Sequence, residues 1–251
     1  MDYIRHMFDE SPRIVFVHGS VMGGRPTWSG QRPLAGRFRL EILERPGFPP
    51  NPPVDHVDFE EHAVLVADAV AGGAHVVGHS YGGVIALLTA AAVPASIRSL
   101  TVIEPPATRV ARGNPAADAF TREGVEWWAN GPRDDPEAFL RGFLAYAGSD
   151  YVPPTPLPAQ LEQGARTLIV ERGPWEAEIP LDTLAVTPFP KLVVSGGHHG
   201  GFDAVCDVLV ERLAAERLVL PGYGHTAQRH PAFNESLSKF VLRAEAARTT
   251  G

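Results

Sequence analysis

The chain has 251 residues, 44% of them hydrophobic, and a formal net charge of −7. That length supports one substantial core, and the negative charge disfavours nucleic acid or an anionic membrane surface as partner, because phosphates would repel it. Cys206 is the only cysteine, which excludes an intrachain disulfide. No apolar stretch reaches membrane-spanning length and the first twelve residues lack a basic-then-apolar leader pattern, so a cytosolic protein is expected.

Short apolar runs alternate with helical patterns, the signature of an α/β fold whose mostly parallel sheet is covered by helices on both faces. In chain order the predicted strands are 14–17, 38–43, 75–78, 100–103, 191–195 and 217–220. Helices are expected over 59–71, 82–93, 202–215 and 231–246. The first of these places Ala63, Val66, Ala67 and Val70 at three- and four-residue spacing behind an acidic first turn.

Residues 105–188 break the alternation. They read as helices over 118–129, 136–147 and 157–170, too long a stretch for a loop, so an inserted helical cap is expected on a core formed by 1–104 and 189–251. Most of its aromatic residues should form the cap's own core. A few should face a substrate pocket, with Trp127, Trp128 and Phe143 as the candidates, while Trp28, after the first strand, either floors that pocket or packs in the core.

The chemistry concentrates at three turns. After the strand at 75–78 comes Gly78-His79-Ser80-Tyr81-Gly82-Gly83 and then an apolar helical stretch. Strand, tight turn and helix in that order expose a serine hydroxyl, so Ser80 is the candidate nucleophile. Such a serine needs a base, an acid to orient the base, and donors for the developing oxyanion. His225 is the candidate base, because Gly222-Tyr223-Gly224-His225 follows the last strand and lies at the same sheet edge as Ser80. His198, His199 and His230 compete from less suitable settings. The oxyanion donors are expected to be the N–H of Tyr81 and that of Ser20, or alternatively Val21, in the loop His18-Gly19-Ser20-Val21-Met22-Gly23-Gly24. His18 should brace that loop from within, and His79 should pack behind the elbow.

Together these segments, from about residue 13 to 246, resemble the α/β-hydrolase superfamily. The resemblance implies the α/β-hydrolase fold, with the usual antiparallel N-terminal strands missing or reduced, and a catalytic triad that requires no cofactor. Most relatives carry their acid in a Gly-x-x-Asp turn after the strand at 191–195, where this chain reads Gly196-Gly197-His198-His199. Two carboxylates can replace it. Glu104 ends the preceding strand, before Pro105-Pro106, where certain dehalogenases and the zearalenone-type lactonases place a glutamate. Asp203 is the alternative, although a first-turn helix position also suits a carboxylate that merely favours the helix dipole. Glu104 is preferred.

The implied activity is that of a serine hydrolase acting on a carboxylic ester or lactone of a moderate-sized, apolar small molecule. A serine at the elbow argues against dehalogenases and epoxide hydrolases of this fold, which use aspartate there. A lyase, a thioesterase or cyclase of a biosynthetic pathway, and a non-catalytic small-molecule receptor remain as rivals. No metal is expected, because adjacent histidines at 198 and 199 point apart and lack further ligands at suitable spacing.

Overall fold

The computed structural model describes residues 11–249. Six strands form one sheet in the order β2-β1-β3-β4-β5-β6. They are β1 (Arg13–Val17), β2 (Arg39–Ile42), β3 (Ala74–His79), β4 (Ile97–Ile103), β5 (Lys191–Ser195) and β6 (Glu216–Val219). Every pairing is parallel. All six expected strands are present, shifted at their ends by three residues or fewer. The described residues contain no antiparallel strand, and residues 1–10, where such strands could start, lie outside them.

Between β1 and β2 come a short helix α1 (Gly24–Thr27) and a 3-10 stretch, Ser29–Gly36. The sequence reading missed both, since Gly30, Pro33 and Gly36 interrupt any helical period. The longer helices of the core are α2 (Phe59–Ala69), α3 (Tyr81–Ala92), α8 (Gly200–Leu213) and α9 (Phe233–Thr249). Between β4 and β5 the chain forms α4 (Pro115–Asn130), α5 (Pro136–Tyr146), α6 (Ala159–Ile169) and a short α7 (Leu181–Ala185). The region from 105 to 188 is therefore an inserted, largely helical segment.

Apolar side chains on both faces of the sheet close two cores. One buries Val15, Val76, Val102 and Val193 against α2, α3 and α8. The other buries Phe16, Val77, Ile103 and Val194 against Leu34 and the α9 residues Phe233, Leu237 and Phe240. Successive strand residues point to opposite faces, so the four inner strands feed both cores, whereas the edge strands β2 and β6 contribute Leu40, Ile42 and Leu218 to the second alone. A third cluster lies within the insert, where Phe139, Leu140, Leu161 and Leu168 pack together, and it includes Val21 from the loop after β1.

Two devices fix the geometry near the sheet edge. Asp58 caps α2 by accepting from the N–H groups of Glu60 and Glu61, at 2.7 and 3.3 Å, and its other oxygen accepts from Arg172 of the insert at 3.0 Å. The chain also reverses its direction of winding between β1 and β3. The crevice at that switch point is where open α/β sheets place their ligands, and it lies between the β1 loop and the β3 elbow.

The elbow has no room for side chains at its glycines. A Cβ on Gly78 would lie 2.3 Å from the Gly82 oxygen, and one on Gly82 would lie 2.4 Å from the oxygens of both Val17 and His18. Backbone cannot yield as a flexible side chain can. Gly82→Ala is expected to cost at least the ~1–3 kcal/mol typical of overpacking, whereas Gly30→Ala, which meets nothing within 4 Å, leaves thermal stability unchanged. Melting curves of the two variants check this, and equal melting temperatures would contradict it.

Candidate active site

Ser80 follows β3 directly and occupies the N-cap position of α3, with φ 53° and ψ −124°. A serine there often caps the helix through Oγ, but no such bond is made, so the hydroxyl is not committed to the helix. Tyr81 supplies the first helical N–H, one of the amides that a helix leaves without an internal partner. The loop after β1 passes over this turn, so close that a Cβ on Gly19 would sit 2.8 Å from the Ser80 Cβ. Ser20 and Val21 come next, and Val21 has φ 73°.

The acid and the base meet at the neighbouring strand ends. Glu104 follows β4 with φ 44°, is fully buried, and leads into Pro105-Pro106. Its Oε2 accepts from His225 Nδ1 at 2.7 Å and its Oε1 from the Gly196 N–H at 2.6 Å. His225 must carry its proton on Nδ1 to make this bond, which leaves Nε2 as the basic nitrogen. Behind it, the His79 ring donates from Nε2 to the His225 carbonyl at 2.7 Å. Burial, with His225 adding to it, lowers the His79 pKa to about 3, so His79 stays neutral and braces the backbone. Phe202 stacks on the His225 ring at 4.4 Å.

Burial alone would raise the Glu104 pKa. The His198 ring beside the carboxylate, with the hydrogen bonds from His225 and the Gly196 N–H, outweighs burial and holds it well below the usual carboxylate range. His198 Nδ1 stands 3.3 Å from Glu104 Oε1 but is not aligned for a hydrogen bond, while its Nε2 faces the Ala147 carbonyl at 3.3 Å. Proximity to Glu104 raises the His198 pKa.

The ligand atoms of Glu104, His198 and His225 fall within 4.8 Å of one another. A cation there would have to displace the hydrogen bond from His225 to Glu104. Asp203 faces elsewhere: its Oδ1 accepts from Ser195 Oγ at 2.8 Å and pairs with Arg217 at 3.1 Å.

A second buried network lies beneath the β1 loop, and sequence reasoning missed it. Glu171, two residues beyond α6 in the insert, accepts from Ser20 Oγ through Oε2 and from Arg45 at 3.2 Å through Oε1. Arg45 also donates to the Gly19 carbonyl at 2.8 Å, and its own N–H donates to His18 Nε2 at 3.1 Å. His18 therefore carries its proton on Nδ1, where it donates to Gly19 O at 2.8 Å, and burial together with Arg45 keeps it neutral. Burial raises the Glu171 pKa against the opposing pull of Arg45 and Ser20. Helix α6 touches the same loop at Gly164, where a Cβ would overlap the Val21 carbonyl.

The candidate pocket residues divide. Trp128 and Phe143 line a cavity bordered by Ser80 and His225. Trp28 does not reach it. This ring is fully buried in the core beneath the sheet edge, 4.9 Å from Phe16 and edge-on to His79. Trp127 also turns away, lying tilted against Phe139 at 5.5 Å and filling the space left by Gly142 between α4 and α5. Trp127 and Trp128 are consecutive, so on a helix they point about 100° apart, and only the second lines the cavity.

Because Glu104 titrates lower in the folded chain than in the unfolded one, it adds stability above the unfolded carboxylate pKa of about 4.3. That contribution fades as the pH falls below this value and is gone below the folded pKa. The melting-temperature gap between the wild type and Glu104→Gln is therefore expected to narrow as the pH falls from 7 towards 3. A gap independent of pH would contradict this reading of the carboxylate.

Comparison with known proteins agrees with this fold. The model of the alpha/beta hydrolase family matches residues 14–234. A pimeloyl-[acyl-carrier protein] methyl ester esterase from Methylococcus capsulatus is 33% identical over 177 residues, 70% of this chain and 66% of that protein. A homologue of the same description from Aeromonas hydrophila is 31% identical over 38% of this chain and 39% of its own. The chain thus aligns with less than two thirds of either relative. Among solved structures, MenH from S. aureus shares the fold at a TM-score of 0.72 and 15% identity, covering 94% of this chain and 96% of its own. An esterase from Thermogutta terrifontis does so at 0.63 and 17%, covering 93% and 90%. With the parallel sheet, the serine elbow and the family match in agreement, the chain belongs to the alpha/beta hydrolase family.

Proposed function

We propose that the protein is a serine hydrolase that cleaves a carboxylic ester of a moderate-sized, largely apolar molecule, lactones included, through an acyl-enzyme. The observation that carries this reading is the buried Glu104 carboxylate holding His225 Nδ1 at 2.7 Å, beside an elbow serine whose hydroxyl does not cap its helix.

Ser80 Oγ attacks the ester carbonyl as His225 Nε2 takes its proton, and Glu104 stabilises the imidazolium that results. Glu104 fills the role left open by the missing acid after β5, whereas Asp203 serves Ser195 and Arg217. The N–H groups of Tyr81 and Ser20, with Val21 as the neighbouring choice, receive the oxyanion at the N-terminus of α3, where the helix dipole favours negative charge. His225 returns the proton to the departing alcohol, and a water activated by the same nitrogen releases the acid. Residues 105–188 act as a cap over a core made of 1–104 and 189–251.

The lyase reading lacks a lysine at the site. Lys191 Nζ donates to the carbonyls of Thr187 and Phe189 at the start of β5, and Lys239 pairs with Glu235 on α9. The curated relatives support a second reading, the methyl ester of an acyl chain held on a carrier protein.

Against an activated ester, Ser80→Ala is expected to lower turnover on the order of 10⁶-fold, and Glu104→Gln on the order of 10⁴-fold. Asp203→Asn should stay close to wild type. Undiminished hydrolysis by Ser80→Ala ends the proposal, and a loss confined to Asp203→Asn transfers the acid role.

A further inference from the structure

The peptide that joins Gly19 to Ser20 has a positive charge bonded to its oxygen. That carbonyl accepts from Arg45 Nη2 and from His18 Nδ1, each at 2.8 Å. The N–H of the same peptide belongs to Ser20, which borders the cavities that Ser80 and His225 border, whereas Arg45 and His18 line neither cavity. The next peptide differs. Its carbonyl, that of Ser20, accepts from the neutral Met22 N–H at 2.9 Å, across the positive φ of Val21. Burial lowers the Arg45 pKa while Glu171 opposes the shift, and a guanidinium so placed stays charged. Its carbon also lies 5.1 Å from the centre of the Tyr81 ring.

We infer that Arg45 is a positioning residue for the oxyanion: its charge on the Gly19 carbonyl aims and strengthens the Ser20 N–H, so Ser20 rather than Val21 joins Tyr81 as donor. This rests on the ester-hydrolase reading and deepens it. An amide is conjugated, so a cation at its oxygen draws electron density from its nitrogen and leaves the N–H proton more positive. Charge-assisted hydrogen bonds are about twice as strong as neutral ones. With both lone pairs of the Gly19 oxygen occupied, the plane of the peptide is also fixed. The gain falls on the chemical step. Negative charge reaches the substrate oxygen only as Ser80 Oγ bonds to the carbonyl carbon, so a stronger donor lowers the barrier more than it aids ester binding.

Glu171 pulls in the opposite direction, because a carboxylate near Ser20 disfavours an oxyanion. The contacts decide between the two charges. Arg45 bonds to the oxygen of the donor peptide itself, while Glu171 bonds to Ser20 Oγ, which is not conjugated with the N–H. The tie between Arg45 and Glu171 at 3.2 Å lets both charges stay buried. A tie that served only to hold the loop would work equally well with neutral partners.

Kinetics with p-nitrophenyl butyrate test this on two variants, with Ser80→Ala as the control. Arg45→Met/Glu171→Gln removes both charges together, so no carboxylate is left buried without its partner, and Arg45→Lys keeps the positive charge. Loss of an oxyanion donor costs on the order of 10²–10³ in turnover, and weakening one is expected to cost about tenfold. The neutral variant should therefore show kcat about tenfold lower with KM within about twofold of wild type. Inhibition by a trifluoromethyl ketone, whose adduct on Ser80 carries an oxyanion, should weaken by the same factor. Arg45→Lys should recover part of both losses. A folded neutral variant with undiminished kcat, or with KM alone raised, overturns the inference and leaves the ester-hydrolase reading intact. Absence of Ser80-dependent hydrolysis removes both. Should the neutral variant not fold, NMR of the wild type decides. Carbon-labelled carbonyls in glycine and labelled nitrogen in serine single out two peptides, Gly19–Ser20 and Gly148–Ser149. The Ser20 N–H is expected to move downfield when the ketone binds, and further than that of Ser149; no such shift overturns the inference.

Discussion

The site depends on one buried negative charge. Glu104 has no access to water, and a carboxylate in that position is tolerable only while its oxygens are occupied. His225 Nδ1 and the Gly196 N–H occupy them, at 2.7 and 2.6 Å, so the ends of β4 and β5 and the turn after β6 are held together by a single side chain. The backbone makes this arrangement possible at some cost. Among the described residues, four non-glycine residues have positive φ, and three of them, Val21, Ser80 and Glu104, stand at this sheet edge. Left-handed backbone in a β-branched residue, a serine and a glutamate persists only where the surroundings over-determine it. Here the surroundings are the glycine-packed elbow, the Pro105-Pro106 exit and the contact of Val21 with α6.

The inserted helices are part of this scaffold. Glu171 reaches Ser20 and Arg45, Gly164 admits the Val21 carbonyl, and Arg172 meets the cap residue of α2. The loop that carries the candidate oxyanion donors is thus held from below by Arg45 and His18 and from above by the insert. A change in the insert can therefore reach the loop beside Ser80 without touching Ser80 itself.

Much of this was legible in the sequence, for physical reasons. The inner parallel strands are short, largely apolar runs, and the edge strands β2 and β6, RLEI and ERLV, still carry enough apolar residues beside them to be read as strands. The elbow was readable because its glycines are required by backbone contacts that local sequence encodes. Glu104 stood out by position, a carboxylate closing a strand ahead of two prolines in a chain without the usual acid after β5. Arg45 and Glu171 carried no such signal. They lie 126 residues apart, and a lone charge in a loop reads as a solvated one until the fold brings its partner to it. The tryptophans failed for a related reason. Trp28 and Trp127 fit a pocket by composition, but only the direction of the ring decides, and that is set by the unforeseen 3-10 stretch in one case and by Gly142 in the other.

The central claim is that an ester passes through a covalent bond to Ser80 while Glu104 steadies His225. Mass spectrometry of the protein, acid-quenched during turnover of a slowly deacylating aryl ester and then digested, tests it most directly. The account predicts one acyl mass added, mapped to the peptide containing Ser80. No adduct under steady turnover, or an adduct on another residue, would contradict it.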